Sequence, residues 1–374
     1  MPVWYPNRIE PLNGDFIKEQ VSILRSVGSK LHISHADLNI AYWRTHGWMK
    51  RKRISFDSYE NCSAIIEGAF WPRNTSVTLD YWISAYANWV IASIDRLQPD
   101  LLHAHTYLGA AICALVQRKR NLPFIVTLHY SGWTTNKFRT AHYKRAVGAL
   151  PEASHVVSVS QTLRDITNQF HNVPSSTIPN FIDTQEFRGP ELIRSKNPFI
   201  VLGVGDLIER KQFNILIKAF AEMLKSIPSA QLRIVGNGPL KTDLENLSSE
   251  LQIFEMVTFT GVLSKEAVAN EYRRANILVQ TSKAESFGIT LIEALFSSLP
   301  VISFSHKAAI EILSKCSGGY LVPMNDIVAL SEMMISVFNR YELIDFKNIR
   351  ASVAKEFGTK SATDKYLEVY NSIL

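Results

Sequence analysis

Two glutamates, Glu285 and Glu293, lie eight positions apart on either side of a glycine-containing segment. An apolar strand candidate ends at Val279 before this segment, and a helix is predicted over residues 290–298. The first amides of a helix have no intrahelical acceptor and carry partial positive charge, so they suit a diphosphate. Gly288 would let the backbone approach such a ligand closely. Carboxylates on both sides suit sugar and ribose hydroxyls, because they accept hydrogen bonds.

The same residues also match a purely structural pattern. Thr290 followed by Glu293 three positions later is a capping box, in which the glutamate only accepts a hydrogen bond from a backbone amide at the helix start. Residue types alone do not separate a ligand-binding Glu293 from a capping one. Both interpretations stand at this point.

Two further loops follow strand candidates. Arg210 and Lys211 come shortly after the strand that ends at Val204, where two cations would neutralise a departing diphosphate; a solvated turn is the alternative. The segment beginning at Gly236 follows the next strand and is either a tight turn or a surface beside a nucleotide base. We therefore include both loops in the candidate ligand-binding region.

The first half of the chain offers a glycine and three histidines. Gly14 precedes a helix predicted to start near Asp15, and its loop is either phosphate-facing or a plain turn. His103 and His105 lie near one strand candidate, and His129 directly follows another. A histidine at such a place is more often structural than catalytic, and His129 is the one we select as catalytic.

The spacing of apolar residues predicts strands and helices that alternate, which implies parallel sheets covered on both faces. In the second half, strands are predicted at 199–204, 231–235, 257–260, 277–279 and 301–304, and helices at 213–226, 239–250, 265–274 and 290–298. In the first half, strands are predicted at 101–104, 124–128 and 155–159, and a helix at 109–120. Open parallel sheets bind ligands beyond the carboxyl ends of their strands, where most of the candidate residues lie.

These elements predict an α/β protein with two Rossmann-like, doubly wound domains that face each other across a cleft. A chain of 374 residues is long enough for about two such domains. Gly189-Pro190 and Asn197-Pro198 punctuate a charged stretch, so we expect the join there. The predicted first domain covers residues 1–190, and the second covers 197–357.

Composition excludes several classes of protein. Hydrophobic residues make up 46% of the chain and charged residues 20%, which argues against disorder. The nearly apolar run from Trp82 to Ile94 is too short to cross a bilayer and predicts a buried helix. The first residues do not resemble a secretory signal, and three scattered cysteines suggest neither a disulfide framework nor a zinc site. A reducing cytoplasm is the expected location.

The net charge of +6 is concentrated in the first half. Residues 1–180 hold 19 Lys and Arg against 12 Asp and Glu, whereas the remainder holds 21 against 22. Basic clusters at Lys50 to Arg53 and Lys137 to Arg145 suit anionic lipid headgroups or a phosphorylated acceptor, or are solvated surfaces. Nothing in the sequence resembles a nucleic-acid-binding module, so nucleic acid is not an expected partner.

Taken together, these segments resemble glycosyltransferase family 4, the group 1 glycosyl transferases of the GT-B fold. The resemblance runs through nearly the whole chain and rests on the order and spacing of six segments: Pro99 to His105, Val126 to His129, Val157 to Ser160, Ile178 to Asp183, Ile234 to Pro239 and Glu285 to Glu293. The stretch from Phe357 to Leu374 resembles the family's closing helix. This implies that residues 358–374 return to the first domain.

The resemblance implies a role for each candidate residue. Glu293 would bind the ribose of a donor nucleotide, and Glu285 would bind hydroxyls of the transferred sugar. Lys211 would stabilise the leaving diphosphate, Gly14 would let a loop of the first domain approach it, and His129 would face the sugar near the reacting centre. The amides that would contact the diphosphate or sugar are those near Phe287, Gly288, Ile289 and Thr290.

The resemblance further implies a retaining hexosyltransferase that uses a UDP- or GDP-sugar and needs no cofactor or essential metal. The acceptor would be a glycan or a lipid-linked molecule in polysaccharide or cell-envelope synthesis. Because the basic excess lies in the first domain, we expect peripheral contact with the inner face of an anionic membrane.

Two residues depart from the family's pattern. Asp206 occupies a position where family members often carry Arg, and Gln212 one where they often carry Gly. One expected phosphate contact is therefore missing. We hypothesise that Arg210 supplies it, since a guanidinium forks well onto phosphate.

Two other protein classes compete with this interpretation. A nicotinamide-dependent oxidoreductase would need a strand leading into G-x-G-x-x-G with an acidic residue about 20 positions later, which this sequence lacks. A non-catalytic sugar-nucleotide-binding protein stays open because of Asp206, although Lys211, Glu285, Glu293 and His129 are all present. Release of a nucleoside diphosphate separates the enzyme from the binding protein.

Overall fold

The computed structural model of the chain describes Leu24 and residues 53–55, 65–67, 76–105, 107–129, 145, 147–182, 186–187 and 195–374. The predictions for Gly14, for Lys50 to Lys52, for most of the cluster at 137–145 and for Gly189-Pro190 lie outside these residues. The chain divides into two compact units. The first unit takes in the described residues up to Phe181 together with Ala362–Leu374, and the second takes in those of Ile182–Ser361.

The described residues of the first unit form two sheets. A short antiparallel pair consists of β1 (Arg53–Ser55) and β2 (Ile65–Glu67). Four parallel strands follow, namely β3 (Leu102–Ala104), β4 (Phe124–Leu128), β5 (His155–Ser158) and β6 (Ser175–Thr177), and they pair in this order. Strand β4 is buried along its whole length, as expected for an apolar run inside a parallel sheet.

The described residues of the first unit include the helices α1 (Ser76–Leu97), α2 (Tyr107–Arg120) and α3 (Gln161–Thr167). Helix α1 contains the run predicted to form a buried helix, and most of its described side chains from Ile83 to Ile94 are buried: Ile83, Tyr86, Ala87, Trp89, Val90, Ile91 and Ile94. Within the described part of the chain, no helix combines the length and the apolar character needed to cross a membrane.

The sheet of the second unit has six parallel strands. They are β7 (Ile200–Val204), β8 (Gln231–Val235), β9 (Val257–Gly261), β10 (Ile277–Gln280), β11 (Val301–Phe304) and β12 (Gly319–Val322). Their spatial order is β12-β11-β10-β7-β8-β9, so the chain runs outward from β7 to β9 and then crosses back to β10. The loops after β7 and β10 therefore leave neighbouring strands at the switch point of the sheet, where open α/β sheets bind ligands.

Seven helices connect or follow these strands. They are α4 (Phe213–Leu224), α5 (Lys241–Glu250), α6 (Lys265–Arg274), α7 (Ile289–Phe296), α8 (Lys307–Leu313), α9 (Ile327–Asn339) and α10 (Phe346–Phe357). In α4 the apolar residues Phe213, Leu216, Phe220 and Met223 recur at helical spacing and are buried against the sheet. Two units with parallel sheets and covering helices confirm the predicted fold class.

The last helix, α11 (Thr359–Asn371), packs on the first unit. The hydroxyl of Tyr366 lies 3.2 Å from Oγ1 of Thr127, and the hydroxyl of Tyr370 lies 2.8 Å from Nδ1 of His103. These polar contacts attach the helix to β3 and β4. The predicted return of the C-terminal helix to the first domain is therefore confirmed.

Candidate functional site

The loops after β7 and β10 lie side by side because their strands are neighbours. We call residues 205–212 the β7 loop and residues 281–288 the β10 loop. The N–H of Lys283 donates a hydrogen bond to the carbonyl oxygen of Arg210 at 2.9 Å. The hydroxyl of Thr281 also donates to a β7-loop carbonyl. The backbones of the two loops are thus held together at the carboxyl end of the sheet.

Glu285 of the β10 loop pairs with both cations of the β7 loop. Lys211 Nζ lies 2.6 Å from one carboxylate oxygen, and Arg210 Nη1 lies 2.8 Å from the other. The same Arg210 nitrogen donates to the carbonyl oxygen of Ala284 at 2.7 Å. The side chains of Lys211 and Glu285 are only 12% and 11% exposed, whereas that of Arg210 is 30% exposed. The structure therefore brings together three predicted site residues and excludes the solvated-turn alternative for Lys211.

The two cations keep Glu285 ionised. Burial alone would raise the pKa of this carboxyl, but the charges of Lys211 and Arg210 lower the pKa to about 2. At neutral pH Glu285 is consequently an acceptor of hydrogen bonds and not a proton donor. The cluster carries two positive charges against one negative charge, so it retains a positive excess.

Gly288 begins helix α7 in a conformation that favours glycine. Its φ is 100°, and an added Cβ would lie 3.2 Å from Leu291 Cδ1 and 3.4 Å from Ile312 Cδ1. The N–H of Leu291 bonds to the Gly288 carbonyl at 3.0 Å, as in the first turn of a helix. The amides of Ile289 and Thr290 precede this bond and have no acceptor within the helix. They begin the helix where the β10 loop ends, and their binding of an anion stays a prediction.

The capping-box interpretation of Glu293 is wrong. Gly288 is the residue that caps α7, and no side chain caps this helix start. Thr290 is already the second helical residue, so it does not hold the position that a capping box requires. The carboxylate of Glu293 instead accepts a hydrogen bond from the hydroxyl of buried Tyr272 at 2.9 Å. This bond fixes Glu293 one turn into α7, on the helix whose start was predicted to bind the diphosphate.

Phe287 anchors the β10 loop in the core of the second unit. Its side chain is buried and meets the ring of Phe357 edge to face, with 6.0 Å between the centroids. Because the side chain is buried, the predicted contact of Phe287 with a ligand is made by its backbone amide.

Gly236 is required by the backbone packing of two loops. Its φ is 136°, and an added Cβ would lie 2.0 Å from the carbonyl oxygen of Gly205. Gly238 is equally constrained, because its Cβ would lie 2.5 Å from the carbonyl oxygen of Leu207. Close packing of the β7 loop against the residues that follow β8 thus explains these glycines. A contact between Gly236 and a donor stays a prediction.

The two departures from the family pattern differ in their surroundings. Gln212 adopts φ 50° and ψ 41°, a left-handed conformation that explains why glycine suits this position, and its side chain donates to Asn325 Oδ1 at 2.8 Å. Asp206 is exposed on the β7 loop. Arg210, the residue that we expect to compensate for it, belongs to the same loop and to the Glu285 cluster.

Sequence reasoning missed two polar residues behind the start of α7. Gln280, the last residue of β10, donates from Nε2 to Thr290 Oγ1 at 2.8 Å. Its Oε1 lies 2.9 Å from Nε2 of His306. Gln280 could have been found from the sequence, because it is a polar residue at the end of an apolar strand and directly precedes the β10 loop. The periodicity of the sequence does not predict the contact between Gln280 and His306, which lies 26 positions later.

In the first unit, His129 directly follows β4 and is buried. Its Nε2 lies 3.3 Å from Nδ1 of His105. Burial lowers the pKa of His129 to about 3 and outweighs a hydrogen bond to Asn180, which raises it, so the ring is neutral at neutral pH. His103 has a structural role, because Thr127 and the C-terminal helix bind its two ring nitrogens.

Two family profiles cover adjoining parts of the chain. The profile described as "Glycosyl transferases group 1" matches residues 183–348, and the profile described as "Glycosyltransferase Family 4" matches residues 44–186. The first contains the β7 and β10 loops, and the second contains His129. The predicted resemblance is thereby confirmed over both halves of the chain.

Individual relatives agree with these profiles. N-acetyl-alpha-D-glucosaminyl L-malate synthase of Bacillus anthracis is 24% identical, over 75% of this chain and 76% of its own. Alpha-monoglucosyldiacylglycerol synthase of Streptococcus pneumoniae is 25% identical, over 73% of this chain and 67% of its own. The structure of HepE from Anabaena in complex with UDP superposes with a TM-score of 0.76 at 17% identity, covering 96% of each chain, which shows a shared fold.

Proposed function

This chain belongs to the group 1 glycosyltransferases of family 4, and from that premise we propose a specific reaction for it. It transfers a sugar from a UDP- or GDP-sugar to a glycan or lipid-linked acceptor, with retention of the anomeric configuration. No essential metal takes part. The observation that carries this proposal is the cluster of Arg210, Lys211 and Glu285 beside the start of α7.

Each part of the cluster has a task in the proposed reaction. The anomeric carbon loses its bond to the diphosphate oxygen, which keeps the electron pair, while the acceptor hydroxyl bonds to that carbon from the same face. The departing phosphate oxygen takes the hydroxyl proton. Lys211, Arg210 and the first amides of α7 stabilise the negative charge on the diphosphate. Glu285 accepts hydrogen bonds from sugar hydroxyls, because its low pKa keeps it ionised.

Glu293 and His129 complete the proposed donor contacts. Glu293, fixed by Tyr272, accepts hydrogen bonds from the ribose of the donor. His129, whose ring burial keeps neutral at neutral pH, is the proposed catalytic histidine and, as the resemblance implies, faces the sugar near the reacting centre. The UDP in the similarly folded Anabaena protein supports a nucleoside diphosphate as the ligand.

The acceptor is proposed from two observations. One relative is named as a synthase of a glucosyldiacylglycerol, which supports a lipid-linked acceptor. The excess of Lys and Arg in residues 1–180 supports peripheral contact with an anionic membrane on its cytoplasmic face. Binding to vesicles that contain anionic lipid should weaken when Lys50 to Arg53 are neutralised. Binding that survives this change unaltered would exclude those residues as the membrane contact.

The experiment that tests the proposed function uses a panel of UDP- and GDP-sugars with and without EDTA. One donor should bind and be hydrolysed slowly, at the same rate in EDTA, and proton NMR should show that the first-formed sugar keeps the donor's anomeric configuration. Tight binding of a sugar nucleotide with no hydrolysis or transfer to any acceptor would favour the non-catalytic alternative. An inverted product or a rate abolished by EDTA would contradict the retaining, metal-independent reaction.

A further inference from the structure

Three side chains form a chain of hydrogen bonds directly behind the start of α7. His306 Nε2 lies 2.9 Å from Gln280 Oε1, and Gln280 Nε2 lies 2.8 Å from Thr290 Oγ1. Gln280 and His306 are buried, whereas Thr290 is half-buried. Neither Gln280 nor His306 has a task in the function proposed above. Their contacts end at the second residue of the helix that would bind the diphosphate.

A backbone amide sets the direction of these hydrogen bonds. The N–H of Ala309 can only donate, and it donates to Nδ1 of His306 at 3.2 Å. A neutral His306 must then carry its proton on Nε2 and donate it to the oxygen of Gln280. Burial, the largest influence, lowers the pKa of His306 to about 4, which keeps the ring neutral at neutral pH.

The donor and acceptor roles fixed at His306 also determine those of Gln280 and Thr290. Since the amide oxygen of Gln280 accepts from His306, its nitrogen is the atom that faces Thr290 and donates. The oxygen of Thr290 is therefore an acceptor in this bond, and its own proton is left for another acceptor. Among the described residues, no acceptor for that proton is found. The Thr290 amide likewise precedes the first intrahelical bond of α7.

We propose that His306 and Gln280 are positioning residues that hold the Thr290 hydroxyl as a hydrogen-bond donor to the diphosphate of the nucleotide. This inference rests on the proposed function, because it needs a diphosphate at the start of α7. Gln280 occupies the acceptor side of the hydroxyl and thereby prevents its proton from turning inward. The hydroxyl then adds one preoriented donor to those of the helix amides.

The test measures the affinity of UDP and GDP by titration calorimetry, with uridine and guanosine as probes that lack phosphate. Thr290→Val, which removes the hydroxyl at nearly constant volume, should weaken binding of the preferred diphosphate about tenfold, as expected for a hydrogen bond to a charged group. Thr290→Ser should restore most of the affinity. Binding of the nucleoside should not change in either variant.

Two further variants test the positioning residues. Gln280→Met removes the amide, and His306→Asn keeps an acceptor for the Ala309 amide while removing the contact with Gln280. Each should weaken diphosphate binding roughly threefold, and neither should weaken it further when Thr290 is already Val, because both act through its hydroxyl. Additive losses in this double-mutant cycle would overturn the positioning role.

Other outcomes are equally decisive. If Thr290→Val binds the diphosphate as well as the unchanged protein does, the inference fails while the proposed function stands. If the unchanged protein binds neither UDP nor GDP, the proposed donor site fails and the inference fails with it. Thermal unfolding identifies variants that do not fold, and the comparison of Thr290→Val with Thr290→Ser decides the question if Gln280→Met is among them.

Discussion

Lys211 and Glu285 form a part-buried ion pair with 2.6 Å between Nζ and Oε1, although 74 positions separate them in the chain. The pair exists because β7 and β10 are neighbours in the sheet while the chain between them forms β8 and β9. Because both side chains are largely shielded from solvent, the fold is sensitive to the loss of either partner, since the remaining charge would be left unpaired and partly desolvated. Arg210 on the same carboxylate gives the cluster the excess positive charge that a diphosphate requires.

Glu285→Gln should change how stability depends on pH. The folded pKa of Glu285, about 2, lies below its ordinary value of 4.5, so the carboxylate contributes stability above pH 4.5 and loses it as the pH falls toward 2. At pH 7 the unchanged protein should be more stable than the variant by on the order of 3 kcal/mol. Urea unfolding measured from pH 7 to pH 2 should show this difference shrinking below pH 4.5.

Exposed Glu222 provides the control for that measurement, because its ion pair with Lys225 lies on the surface of the same unit. Glu222→Gln should change the free energy of unfolding by less than about 1 kcal/mol at every pH. A Glu285→Gln variant that behaves like this control would show that Lys211 and Arg210 do not lower the pKa of the Glu285 carboxyl.

Gly288→Ala should destabilise the protein and impair nucleotide binding. The left-handed φ of 100° and the Cβ contacts with Leu291 and Ile312 predict a cost of roughly 1–3 kcal/mol. Relief of this strain would turn the first amides of α7 and weaken UDP or GDP binding. Gly148→Ala is the matched control, because an added Cβ meets nothing within 4 Å there. Equal melting temperatures of the two variants would refute a strained helix start.

Two substitutions test whether Arg210 supplies the phosphate contact that is missing at Asp206. Arg210→Ala should lower donor affinity roughly tenfold, because a charge-assisted bond to phosphate is lost. Adding Asp206→Arg to that variant should recover much of the affinity, since it restores the arginine that the family often has there. If Arg210→Ala binds and turns over the donor normally, the compensation hypothesis is wrong.

Periodicity predicted the elements that position the site, but several elements elsewhere in the chain were missed. Helix α6 begins and ends at the predicted residues, and β7 to β11 were all anticipated within one residue at either end. Strand β12 was missed because its sequence, Gly319-Tyr-Leu-Val322, is short and follows another glycine. Helices α8, α9 and α10 were not predicted either.

Side-chain partners were harder to predict than elements. The position of Lys211 and Glu285 at strand ends indicated one region, but their contact depends on the crossover that makes β7 and β10 neighbours. The capping box failed because Gly288 adopts a left-handed conformation and starts the helix before Thr290. Gln280 and His306 escaped notice because their hydrogen bonds depend on the packing of three separate segments.

The most direct test of the central claim is the rate at which Lys211→Met releases nucleoside diphosphate from the preferred sugar nucleotide. Methionine keeps the aliphatic packing beside Gly205. It removes the positive charge that stabilises the leaving diphosphate, so release of the nucleoside diphosphate should slow about 100-fold or more. Lys225→Met, which removes a lysine that is 70% exposed, should release it at the unchanged rate. Release by Lys211→Met at the rate of the unchanged protein, or no release from any sugar nucleotide by the unchanged protein, would contradict the account.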